Sequence, residues 1–169
     1  MPATTPTPQA YAGGPRDALE VLARLAGRSA FVTPAAGSGG APALTTDDIA
    51  HALGRTNDAL GEYLALAIAT QSLREWPAIQ RLAFPRLLAG LEADPRDAAL
   101  VEGSRRHRLR IVMHDVLRDL VWPHRRNARK ATGMRRADYS RLYRYAGAAF
   151  ESWAYTCAGA ALNDLRTLR

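Results

Sequence analysis

The sequence predicts an all-α protein. Ala, Leu and Arg dominate the chain, while Val, Ile, Thr and Phe are sparse, so residues that favour helices outnumber those that favour strands. Apolar residues recur at three- and four-residue spacing along several segments, the period of a helix face. Prolines and glycines fall at the ends of those segments more often than inside them. The chain has 169 residues, enough for one domain of ordinary size or two very small ones.

Residues 1–43 read as an N-terminal arm with one short helix and a flexible linker. Residues 1–14 are rich in Pro, Thr, Ala and Gly and lack apolar periodicity. A helix is expected to begin at Pro15, with Leu19, Leu22, Leu25 and Ala26 on one stripe and Gly27 ending it. Pro34, Gly37, Gly39, Gly40 and Pro42 then mark the linker. A helical domain follows at 44–169. Thr45 or Thr46 caps its first helix, with Asp47 and Asp48 in the first turn.

Ile49 and Ala50 lie on that short helix, Gly54 falls where a turn is needed, and Leu53, Leu60 and Leu64 can fill the angle to a second helix. A small residue at the crossing and a glycine able to take φ > 0 are what two steeply crossed helices require. On these residues the stretch 44–64 resembles the helix-turn-helix DNA-binding superfamily, with the whole unit placed at 45–72. The resemblance implies that Arg55, Thr56 and Asn57 begin the second helix and face base edges or phosphates in a major groove. A helical hairpin that binds no DNA follows the same packing rules. Asp58 and Glu62 would repel phosphate from the same face, and no Arg or Lys occurs between Thr56 and Ser72.

Trp76-Pro77 opens the next helix, and Pro85 is expected to kink or split it. Asp94-Pro95-Arg96-Asp97 is a helix start, with a capping Asp, a proline at the first position and an acid behind it. That helix is expected to reach about Val121, with an interruption at Gly103 and Ser104. Leu100, Ile111, Val112, Val116, Leu117, Leu120 and Val121 form its apolar side. After Trp122-Pro123 comes a basic connection containing Gly133. A long C-terminal helix spans about 137–168, with Leu142, Ala146, Ala149, Trp153, Cys157 and Ala160 at helical spacing. Part of it, 142–153, mimics a second helix-turn-helix around Gly147, but one continuous helix needs fewer assumptions. Ala146-Gly147-Ala148-Ala149 and Ala158-Gly159-Ala160-Ala161 are small-residue patches suited to close helix packing, within the monomer or in a homo-oligomer.

Charge is the strongest functional signal. The net charge is +7. From 105 to 144 the chain carries thirteen Arg or Lys against three Asp, a local balance of +10 that leaves −3 for the remainder. Lys130 is the one lysine, and an arginine excess of that kind can reflect codon usage. Codon usage does not segregate charge, however. Arg105, Arg106, Arg108, Arg125, Arg126, Arg129, Lys130, Arg135 and Arg136, within the segment 105–136, are therefore candidate phosphate contacts. Tyr139, Tyr143 and Tyr145 follow them and are candidates to stack on unpaired bases.

Other chemistries find little support. Cys157 is the single cysteine, so no internal disulfide or cysteine zinc cluster forms, and its neighbours suggest a buried small hydrophobe. His107 and His114 are seven apart, and His51 and His124 are isolated, so no metal site is expected. The sequence has neither a Gly-x-Ser-x-Gly nucleophile turn nor a phosphate-binding glycine loop, so no catalytic residue and no cofactor is expected. Trp76, Trp122 and Trp153 suit core anchors. The longest apolar run, 63–69, is too short to cross a bilayer, and no secretory signal is read at the N-terminus, so a cytoplasmic protein is expected. These readings point to a non-enzymatic transcription regulator of bacterial or phage type that binds double-stranded DNA as a homo-oligomer through its last helix. The alternatives are a phage structural or assembly adaptor that binds DNA or acidic protein surfaces without reading sequence, and a modulator of a host machine such as RNA polymerase; RNA and an acidic protein are the alternative partners.

Overall fold

The computed structural model describes residues 51–123 and 133–167, the last three without their side chains. The arm, the helix expected from Pro15, the linker, the capping Thr45 and Thr46, and the stretch 124–132 lie outside the described residues. What is described is all α-helical, with no strand among the described residues. Residues 51–54 are the end of a helix. Five α-helices follow: α1 (Ala59–Ala69), α2 (Trp76–Glu92), α3 (Pro95–Val101), α4 (Arg106–Val121) and α5 (Arg136–Thr167). A single 3₁₀ turn, Gly103–Arg105, joins α3 to α4.

The two helical pieces of the 45–72 unit are separate, and Leu60 is fully buried. The turn lies later than expected. Gly54 is still helical, and the left-handed residue is Asn57, with φ 56°. Asn tolerates that conformation because its short polar side chain bonds locally. Thr56 closes the preceding helix: its amide and its hydroxyl both donate to the Leu53 carbonyl, at 3.1 and 2.8 Å.

The far end of α1 follows a recognised stop pattern with an unusual residue in it. Ser72 N–H donates to the Ala67 carbonyl at 3.0 Å and Gln71 N–H to Ile68 at 3.4 Å, the paired bonds of a Schellman motif. Its left-handed position, normally glycine, is the exposed Gln71 at φ 51°. Gln71→Gly is therefore expected to stabilise the protein by about 1 kcal/mol, since a side chain in this region costs about 1–2 kcal/mol. A raised urea midpoint at unchanged slope is the measurement.

Helix α2 runs unbroken through Pro85. The expected split does not occur because Arg81 and Pro85 are both exposed, so the carbonyl that the proline leaves unpaired lies on the solvent side. Ile79, Ala83, Leu87 and Leu91, all buried on the opposite side, hold the helix together across that gap. Helix α3 starts as its sequence dictates, with the Asp94 carboxylate accepting the Arg96 amide at 2.9 Å and Pro95 in the first turn. Gly103, at φ 54°, breaks the long helix where expected.

Helix α5 has 32 residues, about 48 Å at the rise of an α-helix. It packs mainly on α1 and α4. Residues 142–153 are one continuous helix. The buried stripe of α5 is Leu142, Ala146, Phe150, Ala154, Cys157, Ala158, Ala161 and Leu162, while Ala149 and Trp153 are half-buried and Ala160 is exposed. Leu142, Ala146 and Cys157 are thus buried as the spacing assigns, while Phe150, Ala154 and Ala161, each one residue later, fill the core in place of Ala149, Trp153 and Ala160. Among the described residues no helix is long and apolar enough to cross a membrane.

Candidate nucleic-acid interface

Helix α1 is the element that a helix-turn-helix would insert into a groove. It buries Leu60, Gly61, Leu64, Ala65, Ala67 and Ala69, leaving Glu62, Tyr63, Leu66 and Ile68 half-buried and only Ala59 exposed. No side of it carries a cation. A helix with apolar groups around most of its circumference is a core element. The three residues expected to open it instead form the preceding turn. Arg55 and Asn57 are exposed there, and Thr56 is half-buried with its hydroxyl 3.1 Å from the Cys157 sulfur on α5. Asp58, which precedes α1, pairs with Arg86 of α2 at 3.3 Å, and Arg86 in turn lies 5.8 Å from the Trp153 ring. The turn is thus docked on α2 and α5 by Thr56 and Asp58.

Cys157 is buried, as expected of a small hydrophobe. Burial pushes its thiol pKa up, with Asp58 and Glu62 adding to that, while the Thr56 bond opposes it. Thiolate is the reactive form. A thiol-specific disulfide reagent at neutral pH is therefore expected to label the native protein far more slowly than the unfolded chain. Equal rates would show that the Thr56–Cys157 contact opens freely.

The basic segment divides by what its arginines touch. Arg118 is committed inside the fold: it lies 3.4 Å from both Asp115 and Asp119 with its side chain 11% exposed, and Asp115 is 1% exposed. Tyr139 donates to Asp115 at 2.9 Å, Tyr143 donates to Asp119 at 2.8 Å, and the two rings stack at 5.9 Å. Spacing alone did not reveal this cluster. Its signal is two pairs at i,i+4, each hydroxyl reaching a carboxylate 24 residues earlier. Both tyrosines are thereby withdrawn from the stacking role expected of them. Tyr145 is occupied too, since its hydroxyl sits where a Cβ on Gly90 would stand.

Arg141 pairs with Asp97, and Arg106 pairs with Glu92 at 2.8 Å. Arg105 donates to the Ala99 carbonyl at 2.9 Å. Arg108 is half-buried, with its Nε unpartnered among the described residues. Arg110 lies over the Phe84 ring, 4.6 Å from its centroid. Arg135 and Arg136 are exposed at the start of α5. Among the described residues Arg105, Arg108, Arg110, Arg135 and Arg136 have no acidic partner. Arg106, Arg108 and Arg110 lie in the N-terminal half of α4, with Arg105 in the 3₁₀ turn before it. Arg125, Arg126, Arg129 and Lys130 lie outside the described residues. Cations in the first turn of a helix are disfavoured by its dipole. That cost is removed when an anion approaches.

No family model, curated protein or solved structure matches this chain.

Proposed function

We propose that this protein is a non-catalytic nucleic-acid-binding protein that grips the phosphate backbone through its basic segment. It acts as an assembly or adaptor component and does not read sequence with α1. The observation that carries the reading is the segregation of charge, +10 over residues 105–144 against −3 elsewhere. The absence of acidic partners for Arg105, Arg108, Arg110, Arg135 and Arg136 among the described residues supports it. The burial of α1 on most sides weighs against groove insertion. A sequence-specific transcription regulator is the second reading, favoured by the exposure of Arg55 and Asn57 at the turn between the two helices. Acidic protein partners, a host polymerase among them, would meet the same basic segment.

Titrating salt against binding to fixed and scrambled duplexes tests the reading. Phosphate contacts lower log K linearly with log salt, by about 0.9 per contact on duplex DNA. Replacing Arg125, Arg126, Arg129 and Lys130 together by Gln is expected to reduce that slope with equal effect on both sequences. An unchanged slope removes these side chains from the interface. A strong preference for one sequence in selection from random duplexes would establish the regulator.

Self-association through α5 is proposed only for its outward side, where Ala148 and Ala160 are exposed. Ala146, Ala158 and Ala161 are already buried in the monomer's own fold. Light scattering that shows a monomer at high concentration excludes the dimer.

A further inference from the structure

The geometry points to single-stranded nucleic acid, not duplex, as the ligand of the face shared by α2 and the first half of α4. This inference rests on the nucleic-acid reading above and specifies its substrate.

Helix α4 presents His107, Arg110 and His114 at three- and four-residue spacing, hence on one side. Two of these meet aromatic rings of α2. Arg110 lies over Phe84, and His114 meets Trp76 edge-on, with ring centroids 5.1 Å apart and planes at 79°. Phe84 and Trp76 are half-buried, Arg110 and His107 are exposed. Planar groups are thus interleaved with charge along one surface, and the guanidinium lies over an aromatic ring.

A duplex uses such a surface poorly. Its bases are stacked on one another and offer only phosphates and groove edges. The element that would read those edges, α1, is in the core. Unpaired bases expose their faces, and each one stacked on a side chain strengthens binding by roughly 5- to 150-fold. A guanidinium held on an aromatic ring serves both needs, a plane for a base and N–H donors for the adjacent phosphate. Tyr139 and Tyr143 of α5 cannot substitute, because they are held by Asp115 and Asp119.

The test is fluorescence anisotropy with the full chain and three probes: a labelled 20-nucleotide oligothymidine, a 20-base-pair duplex and a labelled polyglutamate. Oligothymidine is expected to bind at least tenfold more tightly than the duplex at the same salt. Phe84→Leu keeps an apolar group against the core, and Arg110→Lys keeps the charge. Each should weaken oligothymidine binding about fivefold or more and leave duplex binding within twofold. Arg110 is exposed, so its variant keeps the test open if Phe84→Leu fails to fold. A duplex bound as tightly as the single strand, or two variants without effect on oligothymidine, overturns the inference while the broader reading stands. Polyglutamate bound as tightly as oligothymidine overturns it in favour of a general polyanion surface. Binding of neither nucleic acid overturns both.

Discussion

Replacing Gly61 by alanine is expected to destabilise the protein by about 1–3 kcal/mol, although alanine is the better helix former. The reason is the crossing of α1 and α5. A Cβ at Gly61 would stand 2.9 Å from the Trp153 carbonyl oxygen and 2.9 Å from the Cys157 Cβ, with an Asp58 carboxylate oxygen at 3.1 Å. Two of those neighbours are a backbone atom and a Cβ, which move only if a helix axis moves. Both helices are packed through fully buried residues, Leu60 and Leu64 on one and Phe150 and Ala154 on the other. Close-packed interiors resist such a shift. Gly159 is the internal control. It lies on the same long helix, and a Cβ there meets nothing within 4 Å. Gly159→Ala should therefore raise stability by about 0.5–1 kcal/mol through helix propensity alone. Urea unfolding of the two variants checks the pair. A Gly61→Ala protein as stable as the wild type would mean that α1 and α5 do not approach as described.

The helix ends were legible in the sequence wherever local chemistry decides them. Asp94-Pro95 starts α3, Gly103 breaks the chain at φ 54°, and Trp76-Pro77 opens α2. Each signal acts within four residues, which is the reach of a sequence argument. The inter-helix turn was misplaced because Gly54 permits a turn without requiring one. The contact that secures it joins Thr56 to Cys157, 101 residues away. Pro85 does not split α2 for a similar reason, since the buried stripe from Ile79 to Leu91 outweighs one missing hydrogen bond. The burial of α1 had a visible sign, the uncharged run 63–69, which the helix-turn-helix resemblance obscured.

Of the candidate site, the charge excess was legible and the pairing was not. Arg118 and Arg106 look alike in sequence. One is buried between two carboxylates, while the other makes an exposed pair with its side chain 55% accessible. An exposed pair of that kind contributes little, so Arg106 can exchange Glu92 for a phosphate at small cost. Arg118 cannot leave its site on those terms.

Substituting Asp115 by leucine is expected to cost about 3–5 kcal/mol, the largest effect anticipated here, because it leaves a buried guanidinium short of a partner. Asp115 is 1% exposed and faces Arg118 at 3.4 Å and the Tyr139 hydroxyl at 2.9 Å. Removing it leaves Arg118 with Asp119 alone and takes away the carboxylate that accepts from the Tyr139 hydroxyl. Tyr139→Phe removes one hydrogen bond to that carboxylate, and should cost about 1.5–3 kcal/mol near neutral pH. The two variants separate more clearly in alkali. Burial raises the Tyr139 pKa above its ordinary value of 10.0, and the bond to Asp115 raises it further. A raised folded pKa means that the native state holds the proton more tightly than the unfolded chain. The corresponding stability is fully present below about pH 10 and is lost as pH climbs above it. Wild-type stability should thus fall above pH 10, and Tyr139→Phe should fall less steeply. Tyr145, raised by burial and by Asp97, keeps a residual slope in that variant, and the Cys157 thiol adds its own from about pH 9. Urea midpoints between pH 7 and pH 11 read both effects. Parallel curves for wild type and Tyr139→Phe would place the tyrosine in water, and the link that it and Asp115 make between α4 and α5 would have to be abandoned.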